Sequence, residues 1–158
     1  METKKIILTR GIQGSGKTTF AKQWVLEDPE HRVRFNNDDI RNMLGKYWVP
    51  SREGVVSALK KEFLYSAMNY GYDIVVDNMN LNPKEVKYFQ DLVDGWNNPK
   101  GIVPAVVRAI YEVEFMDFKT PLDVCIERDS KRENPIGAGV ITSTYNRYKN
   151  FYENTTEN

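Results

Sequence analysis

The chain has 158 residues, 41% of them hydrophobic and 12% aromatic, which is enough for one domain with a real core and argues against disorder. Its 22 basic residues balance 22 acidic ones, which weighs against salt-driven coating of nucleic acid but leaves room for a grip on one strand end. A single cysteine, Cys125, excludes an internal disulfide; with no signal-peptide pattern and no apolar run of membrane length, the expectation is a cytoplasmic protein without a membrane partner.

Apolar runs and helical periods then alternate. Lys4 to Thr9 reads as a buried strand, followed by a helix from about Lys17 to Glu27. His31 to Phe35 is a second strand, and a short helix opens near Asp38. Lone His31 is an ordinary residue at a strand entry rather than a metal ligand. Arg52 to Tyr70 is an amphipathic helix with Val56, Leu59, Phe63, Ala67 and Tyr70 on its apolar face, ended by Gly71. Tyr72 to Asp77 is a third strand. Pro83 starts a helix carrying Val86, Phe89, Leu92 or Val93, and Trp96. Ala105 to Phe115 holds a fourth strand, and helices follow over Pro121 to Lys131 and Val140 to Tyr152, the last with a stripe of Ile141, Tyr145, Tyr148 and Phe151. The Asn154-Thr155-Thr156 sequon is read as chance in a polar tail. Apolar strands alternating with helices predict an α/β fold, a single domain with a parallel sheet of four to five strands flanked by helices.

Between the first strand and the first helix stands Gly11-Ile-Gln-Gly-Ser-Gly-Lys-Thr18, which satisfies the phosphate-loop pattern G-x-x-x-x-G-K-[ST] in the strand-to-helix context it needs. Glycines let successive backbone N–H groups turn inward, and the helix aims its positive end at the same point. Lys17 then reaches the β- and γ-phosphates, and the Thr18 hydroxyl ligates Mg²⁺. Gly11, Gln13, Gly14, Ser15, Gly16, Lys17, Thr18 and Thr19 are therefore the expected nucleotide-binding residues, in a P-loop NTPase fold. No guanine-reading N-K-x-D occurs, and the chain is short for a motor domain.

Three further segments point to chemistry. In "FNNDDIRNML", Asp38 and Asp39 fall at the carboxyl end of the second strand, beside the phosphate loop, with Arg41 one helical turn after Asp38. A carboxylate for the acceptor hydroxyl's proton, next to an arginine fork for an acceptor phosphate, makes an acceptor site, although Asn37 or Asp38 would also serve as an ordinary helix cap. In "IVVDNMNLNP", Asp77 ends an apolar strand as an acid near a metal does, while Asn78, Asn80 and Asn82 suit turn and cap duty. In "ERDSKRENP", Arg128 and Arg132 share a helix face before a Pro/Gly-rich loop, the pattern of a mobile lid over roughly 121–140. Tyr47 and Trp48 offer a place for a base to stack, but packing of the loop onto the domain is the simpler reading, and Met43 and Leu44 read as core.

Together these motifs resemble the 5′-kinase domain of bacteriophage polynucleotide kinase over most of the chain: "KKIILTRGIQGSGKTTFAKQW", "NNDDIR", "DNMNLNP" and "RDSKR" occur in its order and spacing. The resemblance implies transfer of the γ-phosphate of ATP to a 5′-hydroxyl end of DNA or RNA, with Mg²⁺. It makes Asp38 the general base and Arg132 the lid arginine on the transferring group, joined with Lys17 in catalysis. Arg41, with Asp39, takes the substrate side, and Arg128 and Arg132 join the nucleotide-binding residues. Asn37 stands where the family usually has a basic residue. The family's acid falls at Asn78, with Asp77 one residue earlier, so which of the two takes the metal-side role beside Thr18 stays open. No D-x-D-x-T phosphatase motif occurs, so a kinase domain alone is expected, in a phage and hence in its host's cytoplasm, as monomer or homo-oligomer. A kinase acting on a nucleoside, a metabolite or a modified base in DNA, and a slow ATPase module, are the competing readings.

Overall fold

The computed structural model describes residues 2–100 and 109–153. Four strands, β1 (Thr3–Arg10), β2 (Arg32–Phe35), β3 (Asp73–Val76) and β4 (Ile110–Asp117), form one parallel sheet in the order β2-β3-β1-β4. The first residues of the expected fourth strand, 105–108, lie outside the described residues, as does the 154–156 sequon.

Among the described residues seven α-helices cover the sheet or follow it: α1 (Lys17–Glu27), α2 (Asn37–Met43), α3 (Glu53–Asn69), α4 (Pro83–Asn97), α5 (Leu122–Ser130), α6 (Ala138–Arg147) and α7 (Lys149–Glu153). The two-residue period of β1 sorts them. Ile6 and Leu8 face a core shared with Leu64, Ala67 and Met68 of α3 and Phe89, Leu92, Val93 and Trp96 of α4. Ile7 faces the other way, onto Ala21 and Trp24 of α1. Among the described residues no helix is long and apolar enough to cross a membrane.

Three expectations from periodicity are corrected. Tyr70 is 83% exposed, because α3 stops at Asn69; Gly71 (φ 76°) and Tyr72 donate back to Met68 and Ala67, and the buried face keeps Val56 and Ala67, with Phe63 packed against the core, and adds Lys60, Leu64 and Met68. Met43 is 70% exposed rather than core. The last helix is two, broken at Tyr148, so the apolar stripe resets: Ile141 and Tyr145 pack with Tyr152, not with Tyr148 or Phe151, against Ile12 and Cys125. That third cluster seats the phosphate loop on the C-terminal helices.

Candidate active site

A cavity of about 370 Å³ opens at the carboxyl ends of β1, β2 and β3, where the sheet order switches from one side of β1 to the other. Its donor wall is the phosphate loop. Gly14 takes φ 79°, and a Cβ there would stand 2.6 Å from the Cys125 carbonyl oxygen. Gly16 caps α1 at φ 104°, and the first turn of α1 carries no acid, which suits an anion. Lys17 is buried under the loop and donates to the Ile12 carbonyl (2.7 Å) and Ser15 Oγ (3.3 Å). Burial lowers its pKa to about 8, partly opposed by Asp77. Gln13, Ser15, Thr18 and Thr19 line the same wall.

Distant segments hold the loop in place. The Ile12 N–H donates to the Tyr152 hydroxyl (2.9 Å), the Gly11 N–H to the Met79 carbonyl (3.2 Å), and Thr120 Oγ1 to the Ser15 carbonyl (2.8 Å). Asn80 sits in the left-handed region (φ 51°), and its amide donates to Thr9 and Val76 carbonyls, tying β1 to β3. Asn82 caps α4, so the turn and cap roles expected of Asn80 and Asn82 hold.

The acceptor wall comes from α2 and the loop after it. The helix cap is Asn36, whose side chain accepts from the Asp39 N–H (2.9 Å), so neither Asn37 nor Asp38 is spent on capping. Asp38 is exposed at the cavity and accepts from Arg41 Nη1 (2.8 Å). Arg41 also donates through Nε (3.1 Å) and Nη2 (2.7 Å) to both oxygens of Glu53, which lowers the Glu53 pKa, the hydrogen bond contributing most. Asp39 does not line the cavity; its carboxylate pairs with Arg34 Nη1 instead. Arg34 in turn donates through Nε to Asp77 Oδ2 (2.8 Å), and Asp77 is 1% exposed at the base of the cavity. The Asn37 N–H donates to Asn78 Oδ1 (3.1 Å), joining α2 to the segment after β3.

The segment after α5 divides the two arginines. Arg132 lies past the end of α5 and lines the cavity, whereas Arg128 is outside it, its Nη1 3.4 Å from the Gly14 carbonyl. Between them Asp129, 2% exposed, accepts from the Ile136 (3.0 Å) and Gly137 (2.9 Å) N–H groups, which hold its carboxyl below the usual range and close the 131–137 turn. Glu53, Arg34, Asp129 and Tyr152 are the residues that sequence reasoning missed. Only Asp129, an acid set between two arginines, carries a local signal.

The family model for the AAA domain, AAA_33, matches residues 6–155. One chain of the Pnkp1/Rnl/Hen1 RNA repair complex superposes with a TM-score of 0.73 at 20% identity, covering 97% of this chain and 46% of that one. The Mycobacterium tuberculosis APS kinase CysC, in complex with AMPPNP and APS, gives 0.55 at 16% identity (83% and 71% covered). A gluconokinase from Sinorhizobium meliloti 1021 gives 0.53 at 15% identity (99% and 79%). At these identities the likeness is one of fold, the P-loop kinase fold. Midasin of Dictyostelium discoideum is 31% identical over 86 residues, 52% of this chain and 1% of midasin. The chain thus spans under half of the repair-complex chain and a small fraction of midasin.

Proposed function

The chain belongs to the AAA domain family AAA_33, and from that premise we propose that it is a polynucleotide kinase moving the γ-phosphate of ATP to 5′-hydroxyl ends of DNA or RNA. The observation that carries the reading is the Asp38–Arg41 pair, 2.8 Å apart, on the wall of a cavity whose other walls hold Lys17 and Arg132. In this reading the acceptor hydroxyl enters beside Asp38, which takes its proton as the oxygen attacks the γ-phosphorus. The bond from that phosphorus to the β,γ-bridging oxygen breaks, and ADP leaves. Lys17 and Arg132 face the charge that builds on the phosphoryl oxygens. Gln13, Gly14, Ser15, Gly16, Thr18 and Thr19 cradle the donor phosphates, Gly11 supports the loop from behind through its bond to the Met79 carbonyl, and Arg128 serves by bracing the Gly14 carbonyl.

Arg41 has five N–H donors, and Asp38 and Glu53 take three. The Tyr47 phenol also bonds the guanidinium, and the donor that remains faces a phosphate of the acceptor strand. Asp39 acts through Arg34 rather than on substrate. Magnesium fits the residues present: the Thr18 hydroxyl and Asp77 carboxylate border one cavity and would hold the ion, which when bound supplies charge neutralisation on the β- and γ-phosphates.

The test is labelled ATP offered with 5′-hydroxyl oligonucleotides, 5′-phosphorylated oligonucleotides and free nucleosides. Transfer confined to 5′-hydroxyl ends is expected. Equal labelling of blocked ends would move the acceptor to a base hydroxyl, labelling of nucleosides alone to a small-molecule kinase, and hydrolysis without transfer to an ATPase module.

A further inference from the structure

We propose that Tyr47 and Trp48 form a stacking platform for the nucleobase of the acceptor's terminal nucleoside. This deepens, and rests on, the reading of the acceptor as a nucleic-acid 5′ end. The two rings are 52% and 53% exposed, so packing of the loop onto the domain leaves about half of each ring open. Among the described residues neither ring pairs with another aromatic, in contrast to Trp96, which is 9% exposed and edge-on to Tyr111. Both lie instead against the Arg41 guanidinium, with ring centroids 6.0 and 5.7 Å from its central carbon.

Tyr47 ties the pair to the reacting hydroxyl directly, and Trp48 adjoins the site through Arg41. Tyr47 lines the cavity, and its phenol interacts with Asp38; burial and then the Asp38 charge raise its pKa. A base one ribose away from a hydroxyl at Asp38 therefore meets this loop. The loop is also built in advance. Gly45 turns it at φ 101°, Arg52 Nη1 clamps its far end to the Leu44 carbonyl (2.6 Å), and Pro50 starts a 3-10 turn. On the lid side Ile136, 40% exposed, lines the same cavity as an apolar face. Two exposed rings backed by a guanidinium are what a flat heteroaromatic ligand stacks on, and every base offers such a face, so the platform grips an end without reading its sequence. Exposed apolar surface at a cavity mouth is otherwise a liability in a soluble fold.

The experiment compares two 5′-hydroxyl oligonucleotides, identical except that one has an abasic site as its terminal nucleoside. Equilibrium binding to the full chain is followed by anisotropy of a 3′ dye, and KM for transfer is measured on the same pair. The wild-type chain should bind the abasic end about 5- to 100-fold more weakly. Trp48→Ala should remove most of that difference, and Trp48→Phe should keep part of it, which controls for folding. Equal wild-type affinity for both ends, or full discrimination in Trp48→Ala, overturns the platform. Transfer with equal KM for both ends leaves the kinase reading standing and removes the platform. Base-dependent binding without any transfer does the reverse.

Discussion

The donor and acceptor walls of the cavity are built on different principles. The donor wall is a single run, Gln13 to Thr19, in which backbone N–H groups, glycine dihedrals and a helix terminus do the holding. The acceptor wall is a set of side chains from four segments, held by ion pairs that cross between them: Asp38–Arg41–Glu53 on one side and Asp39–Arg34–Asp77 on the other. A triphosphate presents the same atoms whatever the enzyme, so a wall made of backbone suffices for it. An acceptor differs from one kinase to the next, and side-chain pairs are what substitution alters without disturbing the fold.

If that division is right, the largest effects separate the two walls cleanly. Asp38→Asn should lower kcat for transfer by about 10²- to 10⁴-fold while nucleotide affinity, measured by calorimetry, is unchanged. Turnover near wild type would remove Asp38 from the base role. Next in size is Arg34→Met. It leaves the Asp77 carboxylate, 1% exposed, without its guanidinium partner, and should cost about 3 kcal/mol of stability in urea or thermal melting. The double variant Arg34→Met/Asp77→Asn should recover most of that loss. A double variant as unstable as the single would mean that Arg34 acts through packing alone.

The same division explains what the sequence discloses. The phosphate loop and the bounds of α1 are legible because a contiguous pattern imposes them; Lys17–Glu27 is the helix read from the residues and the helix found. Alternation of buried strands and helices likewise prescribes the parallel sheet. Side-chain pairs are a different matter. Arg34 meets Asp77 across 43 positions and Arg41 meets Glu53 across 12, and nothing in either local stretch announces the partner. The cap at Asn36 rather than Asn37 or Asp38 is a one-residue shift, yet it leaves the Asp38 carboxylate uncommitted to capping. Periodicity failed where a helix end intervened: Tyr70 lies just past the end of α3, and Tyr148 breaks the last helix and hands the packing role to Tyr152.

A smaller effect tests the donor wall by pH. Burial holds the Lys17 ammonium at about 8, below the ordinary lysine value. Phosphates bind its charged form, so nucleotide affinity should fall as pH rises above about 8, by up to about tenfold per unit. Stability of the unliganded chain should move the other way. Between about 8 and the ordinary lysine value the unfolded chain holds the extra proton, so raising the pH favours the fold there. Calorimetric titrations across this range should show the affinity slope in the wild type and a flat line in Lys17→Met. A slope that survives in Lys17→Met would place the titrating group elsewhere.

The smallest change probes whether the donor wall is as self-contained as its sequence. The Ile12 N–H, in a fully buried residue, has the Tyr152 hydroxyl as its acceptor, 140 positions away on α7. Tyr152→Phe keeps the ring against Tyr145 and removes only that oxygen, leaving a buried donor without a partner at a cost of about 1 kcal/mol. If the loop's shape depends on this bond, the cost appears at the site, as nucleotide affinity about fivefold weaker with acceptor KM unchanged. If glycine geometry alone fixes the loop, the cost appears only in global stability and nucleotide affinity stays at the wild-type value. The first outcome makes the C-terminal helices part of the donor wall. The second leaves that wall entirely local and the acceptor wall as the one assembled from a distance.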